Sequence, residues 1–378
     1  MDFYIDGLKY HIYVPGGNMT ALVEGLEADA HLRRAAQDAI MARHSGVEQV
    51  GFIGTDPNSP RLIMTGGEFC GNAARSAAWH YLRGKPGQLA LRVSGAEKPV
   101  RAGVTDSLDA WAEIPVGPGR VRLVGEGLYW VELEGISHLV VTAGASVDYL
   151  AKIAAKTDTD YLCNPDKLDI DELLRRAQTL LGSLEMEKGA CGCRGAGEPG
   201  AAAVDAADAI GAGEPGAAAA DAADAIGAGE PAGAAAFSAI DGFVAGAVGV
   251  IFIEIVRGLL KIHPCVFVKA AGTAVYETAC GTGSVAAAMA EYTLRGEPPP
   301  DVNTVRRAGG VAPYESLIDE SQARVSPPPS PPPSPPPSWA PFSLLQPSGM
   351  SIDTYLRMSK GRFVEAVISG AIAEIEEK

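Results

Sequence analysis

Two stretches of the 378-residue chain place a thiol at the same point of the same phrase. Phe69-Cys-Gly-Asn-Ala-Ala-Arg-Ser-Ala-Ala and Ala279-Cys-Gly-Thr-Gly-Ser-Val-Ala-Ala-Ala both set Cys-Gly-(Asn/Thr) before a run of small residues. Those runs read as helices, so Cys70 and Cys280 stand at helix N-termini. Free backbone N–H groups and the positive end of the dipole favour negative charge there, and the thiol pKa is expected to fall below ~8.5. The glycine that follows lets a ligand approach the backbone, and the unpaired N–H groups of the first turn can hold a carboxylate. Two such cradles facing one another would put a sulfur on each side of a small carboxylate-bearing molecule. One thiolate then removes a proton from a tetrahedral carbon and the opposite thiol returns one to the other face. Helix N–H groups stabilise the carboxylate as it takes on enolate character.

The remaining candidates for chemistry are weaker. Cys163 and Cys265 lack a glycine-rich helix start and read as buried structural thiols. Cys191-Gly-Cys193 has no second Cys or His pair at zinc spacing and receives no role. The six histidines show no HExxH or similar spacing, and no GxGxxG or P-loop occurs. Neither a metal nor a nucleotide cofactor has a visible seat, and the expectation is that no cofactor is used.

The elements that must position the cysteines are short strands alternating with a few helices. Strands are read at 3–5, 9–14, 50–53, 61–64, 89–93, 120–124, 128–133, 138–142, 248–255, 266–268 and 362–368 from their β-branched and aromatic content. Helices are read at 22–42, 72–82, 170–181 and 284–294. Residues 195–210 and 211–226 form a sixteen-residue Gly/Ala/Asp repeat with one difference, and Ser-Pro-Pro-Pro units fill 326–338. Neither can bury a core, so 190–236 and 326–338 read as insertions.

Length suggests two domains, and 47 % hydrophobic with 20 % charged residues is ordinary for a globular chain. With 31 basic against 46 acidic residues the net charge is −15, which argues against a nucleic-acid partner. Residues 242–256 fall short of the ~20 apolar residues a membrane span requires, and are read as a buried strand. No signal-peptide pattern opens the chain, and six cysteines in such a length fit a reducing compartment, so the expected location is the cytoplasm.

At the two cysteine phrases the chain resembles the diaminopimelate epimerase family of cofactor-independent racemases and epimerases, including its histidine racemase-like branch. Gly67-Glu-Phe-Cys-Gly-Asn-Ala-Ala-Arg75 and Tyr276-Glu-Thr-Ala-Cys-Gly-Thr-Gly-Ser284 carry the resemblance. Weaker echoes are Pro15-Gly-Gly-Asn-Met, Arg43-His-Ser-Gly-Val-Glu-Gln49 and Gln346-Pro-Ser-Gly-Met. The resemblance implies an α/β fold of two pseudo-symmetric domains, each a curved, mostly antiparallel sheet wrapped around a central helix. The domains would be 1–119, with Cys70, and 120–360, with Cys280, the tail 361–378 returning to the first. It also implies Cys70 and Cys280 as alternating base and acid. Gly71, Asn72, Gly281 and Thr282 would offer N–H groups to the substrate carboxylate, and Asn18, Gln49 and Glu277 would contact substrate. A homodimer is compatible with it.

Departures from the family concern substrate recognition. Where diaminopimelate epimerases carry a Glu-Arg pair for the distal end of their substrate, this chain has Ala270-Ala-Gly-Thr-Ala. Gly-Asn-Pro-His becomes Gly135-Ile-Ser-His138, and Met64 stands in place of a pocket asparagine. A second zwitterionic end would be left unpaired. The expected activity is racemisation of a single amino acid, with histidine first and His138 a candidate contact. The alternatives are diaminopimelate epimerisation and an inactive amino-acid-binding or scaffold protein.

Overall fold

The computed structural model describes residues 3–5, 7–25, 29–117, 119–143, 145, 170–190, 246–295 and 339–375. Both low-complexity insertions, with Cys163, Cys191 and Cys193, lie outside the described residues, apart from the insertion's first residue, Ala190.

The same order of elements occurs twice. The first half runs β1 (Phe3–Ile5), β2 (Leu8–Tyr13), β3 (Met19–Glu24), α1 (Ala30–Arg43), β4 (Val47–Ile53), β5 (Arg61–Met64), α2 (Gly71–Leu82), β6 (Gly87–Val93), β7 (Val100–Val104) and β8 (Ala110–Ile114). The second runs β9 (Arg120–Gly125), β10 (Leu128–Leu133), β11 (Ile136–Val141), α3 (Ile170–Ala190), β12 (Ala247–Val256) and β13 (Leu259–Val268). It continues through an added strand, β14 (Thr273–Tyr276), to α4 (Gly281–Arg295), β15 (Trp339–Leu345), β16 (Ser351–Ser359) and β17 (Arg362–Gly370). Pairing repeats as well. Parallel pairs β3–β4 and β5–β6 in one half answer β11–β12 and β13–β15 in the other, and the remaining ladders along each series are antiparallel. The last strands of the halves, β8 and β17, pair antiparallel and join the two sheets. A final short strand, β18 (Glu374–Ile375), returns to pair with β2.

Each sheet curls around one helix. Gly71–Ala78 of α2 and Gly281–Glu291 of α4 are buried on every side, and their mostly small residues, chiefly Gly, Ala and Ser, let the curled sheets close around them without overfilling the core. One apolar core surrounds both helices, while α1 and α3 cover the outer faces over smaller cores. No helix among the described residues is long and apolar enough to cross a membrane.

The expected helix 22–42 is not observed as such. Residues 19–24 form β3, parallel to β4, and the helix begins at Ala30 behind Asp29, whose side chain accepts from the Leu32 N–H. Thr20-Ala-Leu-Val faces both cores and pairs on both edges, and that burial outweighs the helical pattern of the segment. The strand read at 266–268 is the end of the longer β13; Pro264, which interrupts its reading, lies between the residues paired with β14 and with β15.

α2 and α4 meet nose to nose. A Cβ on Gly281 would stand 2.6 Å from Ile368 Cδ1 and 3.4 Å from Gly71 Cα, and one on Gly71 would stand 2.9 Å from both Ile114 and Ile368 Cδ1. These isoleucines belong to the strands that join the halves, so the glycines set how closely the two helix starts approach. Gly281→Ala is expected to destabilise the protein by about 1–3 kcal/mol, read as a lower urea midpoint at unchanged slope. An unchanged midpoint would show that this contact is loose.

Candidate active site

The helix starts open onto one cleft with about 600 Å³ of non-atom space, its open mouth included. Cys70 and Cys280 both line it, together with Gln49, Gly71, Asn72, Glu277, Gly281 and Thr282. Each thiol caps its own helix: Cys70 Sγ accepts from the Ala73 N–H at 3.4 Å and Cys280 Sγ from the Gly283 N–H at 3.3 Å. Gln346 braces the second cradle, its Oε1 accepting from the Cys280 N–H at 3.0 Å and its Nε2 donating to Ser284 Oγ at 3.1 Å.

A chain of side chains runs from the first sulfur to a buried carboxyl in the cleft. The Cys70 thiol donates to Gln49 Oε1 at 2.6 Å and Gln49 Nε2 donates to Glu277 Oε1, while Glu277 Oε2 is buried with no hydrogen-bond partner among the described residues. Glu277 is buried, and burial pushes its carboxyl up to about 8. Glu48 and Glu68, which also line the cleft, are pushed up to about 7 for the same reason.

The acidity expected of the thiols is reversed. Burial and then the Glu277 carboxylate push both thiols well up, and the helix N–H groups offset only part of this. The dipole argument holds for a partly exposed thiol; Cys70 and Cys280 are buried, where loss of hydration outweighs the field of one helix end.

Asn18 does not line the cleft. It is fully buried behind it, donating from Nδ2 to Glu48 Oε2 at 2.7 Å and accepting from Thr20. Glu48 also accepts from the Thr278 N–H at 3.0 Å and from the Thr278 hydroxyl. The early loop 15–19 and the late turn 346–350, far apart in sequence, lie against each other: Ser348 Oγ donates to the Gly16 carbonyl at 2.7 Å, and a Cβ on Gly17 (φ +101°) would meet Ser348 Cβ at 2.2 Å.

His138 is also absent from the lining. Alternation along β11 turns it with Ile136 and Val140 toward α4, over Gly249 of β12, where a Cβ would stand 2.2 Å from Nδ1. Burial pulls its pKa down to about 3, and neither ring nitrogen has a hydrogen-bond partner among the described residues.

Glu48, Glu68 and Arg75 are among the residues at the site not singled out from sequence. Glu68 sits inside the first cysteine phrase, and its Oε2 is buried without a hydrogen-bond partner among the described residues. Arg75, in the same phrase, is fully buried and donates to Asn72 Oδ1 at 2.9 Å, while Asn72 Nδ2 donates across to the Ala279 carbonyl at 2.8 Å. Arg75 therefore orients the amide that bridges the two helix starts. The signal available was an arginine among the small residues that open the helix, Gly71–Ala78.

The wall where a charged clamp would stand is apolar, formed by Met64, Val266, Val268, Ala271 and Val275. No Lys or Arg occurs among the described lining residues.

Residues 7–157 match the family described as the histidine racemase CntK N-terminal domain. The histidine racemase of Staphylococcus aureus (strain Mu50 / ATCC 700699) is 35 % identical over 106 residues, which cover 26 % of this chain and 39 % of that protein. That of Fusobacterium nucleatum (strain ATCC 23726 / VPI 4351) is 35 % identical over 79 residues, 21 % of this chain and 28 % of that protein. The matched stretch thus spans about two fifths of the first relative's length. Among solved structures, a hydroxyproline epimerase from Agrobacterium vitis aligns with 97 % of this chain and 92 % of its own at 12 % identity and a TM-score of 0.44. A phenazine biosynthesis PhzF-family protein from Enterococcus faecalis aligns with 100 % and 98 % at 11 % identity and a TM-score of 0.42. The family match takes in the first cysteine phrase and, with the curated relatives, supports the resemblance stated from the sequence; the second phrase lies beyond residue 157.

Proposed function

We propose that the chain is a cofactor-independent amino-acid racemase working by two-base transfer of the α-proton between Cys70 and Cys280, with histidine the leading substrate. The observation that carries this reading is the pair of matched helix-capping thiols on a single cleft, with Gln49 bonded both to Cys70 and to Glu277. Glu277 as carboxylate takes the Cys280 proton, leaving a thiolate on one side while Cys70 stays protonated on the other. The Cys280 thiolate removes the substrate α-proton, forming an S–H bond as the C–H bond breaks. The Cys70 thiol then gives its proton to the opposite face. Cys70 is left as thiolate and Cys280 as thiol, the state that accepts the other enantiomer. Gly71, Asn72, Gly281 and Thr282 hold the substrate carboxylate with first-turn N–H groups, and the cleft's carboxylates face its ammonium.

Substrate choice follows from the walls. Three carboxyls with no Lys or Arg among the described lining residues leave a second carboxylate without a partner, which disfavours diaminopimelate. Glu68, inside the cleft with an unpartnered oxygen, suits a side chain that donates a hydrogen bond, as an imidazole does. The similarity to proteins named histidine racemase points the same way.

The test is a panel of single L-amino acids, incubated under reductant and resolved by chiral chromatography. Histidine is expected to give its D-form fastest, and no D-product from any member would defeat the reading. Glu68→Gln is expected to raise KM for histidine by roughly 10-fold, about the 1.4 kcal/mol of one charge-assisted hydrogen bond, with a smaller change in kcat. An unchanged KM would remove Glu68 from side-chain recognition.

A further inference from the structure

The far end of α2 carries a second group of ligating side chains. His80 lies in its last turn, about 15 Å along the axis from the cysteine end at 1.5 Å per residue. His11 and Glu24 come from β2 and β3, on the sheet face that Tyr13 and Leu22 turn toward α2. His11 Nε2 and Glu24 Oε1 are 2.9 Å apart, and the His11 and His80 ring centroids are 4.7 Å apart. One ligand atom from each of the three lies within 4.8 Å of the others.

We propose that His11, Glu24 and His80 form a binding site for one Zn²⁺ or similar divalent transition-metal ion. Two imidazoles and a carboxylate are a donor set this class of ion prefers, and three protein ligands leave a fourth position for water. With bonds of 2.0–2.2 Å, tetrahedral ligand atoms stand about 3.3 Å apart, so small side-chain rotations close the site. The outer partners are in place: His80 Nδ1 is held by the Tyr13 hydroxyl at 3.0 Å, and His11 Nδ1 faces Glu374 Oε1 of β18 at 3.6 Å. Partners of this kind fix ring orientation and leave Nε2 to ligate. Lys9 Nζ, 3.2 Å from Glu24 Oε1, is the cation the metal displaces. The three residues stand apart from the cleft lining, so the proposal does not depend on the racemase reading. Residue spacing could not reveal this site, because its members come from two strands and a helix far along the chain.

The test is made in the Cys70→Ser/Cys280→Ser protein, so that the cleft thiols cannot bind the probe. After chelator treatment it is titrated with Zn²⁺ by calorimetry and with Co²⁺ by its visible absorption. The expected result is one equivalent bound with the intense bands of a four-coordinate site, absent in a further His11→Ala/His80→Ala variant. Glu24→Gln is expected to weaken affinity roughly 10–100-fold, and Lys9→Met to strengthen it. If the double alanine variant fails to fold, His80→Gln serves instead. Titrations indistinguishable from the parent in whichever histidine variant folds would overturn the site.

Discussion

A Cys280→Ser protein is expected to fold normally and to lose racemisation by roughly 10²–10⁴-fold or more, the usual weight of a positioned acid or base. Folding survives because serine is a preferred helix N-cap and its hydroxyl can accept from the Gly283 N–H as the sulfur does. Activity fails because the hydroxyl is too weak an acid to reach its anion at neutral pH, and each sulfur is needed once per turnover. Cys70→Ser should behave alike, its hydroxyl donating to Gln49 without serving as base. Chiral chromatography of the product from both enantiomers measures this. A serine variant retaining a tenth of the parent rate in either direction would contradict the assigned roles.

Glu277→Gln is expected to lower kcat by roughly 10²-fold or more with little change in KM. The amide is the same size and can still accept from Gln49, but it cannot take the Cys280 proton. Because burial raises the Glu277 carboxyl to about 8 and the ionised form is the one that works, parent activity should rise with pH toward that value. The glutamine variant should lose this rise, and an unaltered pH profile would show that another group sets it. Stability should run in the opposite direction. Burial raises Glu48, Glu68 and Glu277 to about 7 to 8 when folded, above the ordinary carboxyl value of 4.5, so between these values the folded state binds more protons than the unfolded chain. Stability from these groups is therefore greatest below the unfolded pKa and is lost as pH rises through the folded one. Tm should fall between about pH 5 and pH 8, less steeply in the glutamine variant.

What could be read in advance and what could not divide by the range of the forces involved. The two cysteine phrases are local: a thiol, a glycine and a small-residue helix are adjacent in sequence, so the two-sulfur reading could be argued from residues alone, while the curled sheets followed only from the resemblance those phrases carry. The repeat of pairing order is less visible, because Met19–Glu24 is a strand only by virtue of its neighbours on both edges. Thiol acidity is hidden for a related reason, since a helix dipole is written in the local sequence and burial is not. Asn18 and His138 lie in expected motifs yet are not in the cleft's lining: Asn18 sits one layer back, bonded to Glu48, and His138 is buried over Gly249. Glu68 and Arg75 stand inside a recognised phrase, but only their burial shows that each is a polar group held where it needs a partner.

The proton bookkeeping of the first turnovers tests the two-sulfur account most directly. Histidine of one hand is incubated with the reduced protein in D₂O, and both enantiomers are separated and their α-positions read by NMR before equilibrium. The account predicts deuterium in the inverted product while recovered starting material keeps its proton, because each thiol carries one hydrogen and serves one face. Equal labelling of both enantiomers, or inversion that retains the original proton, would contradict it.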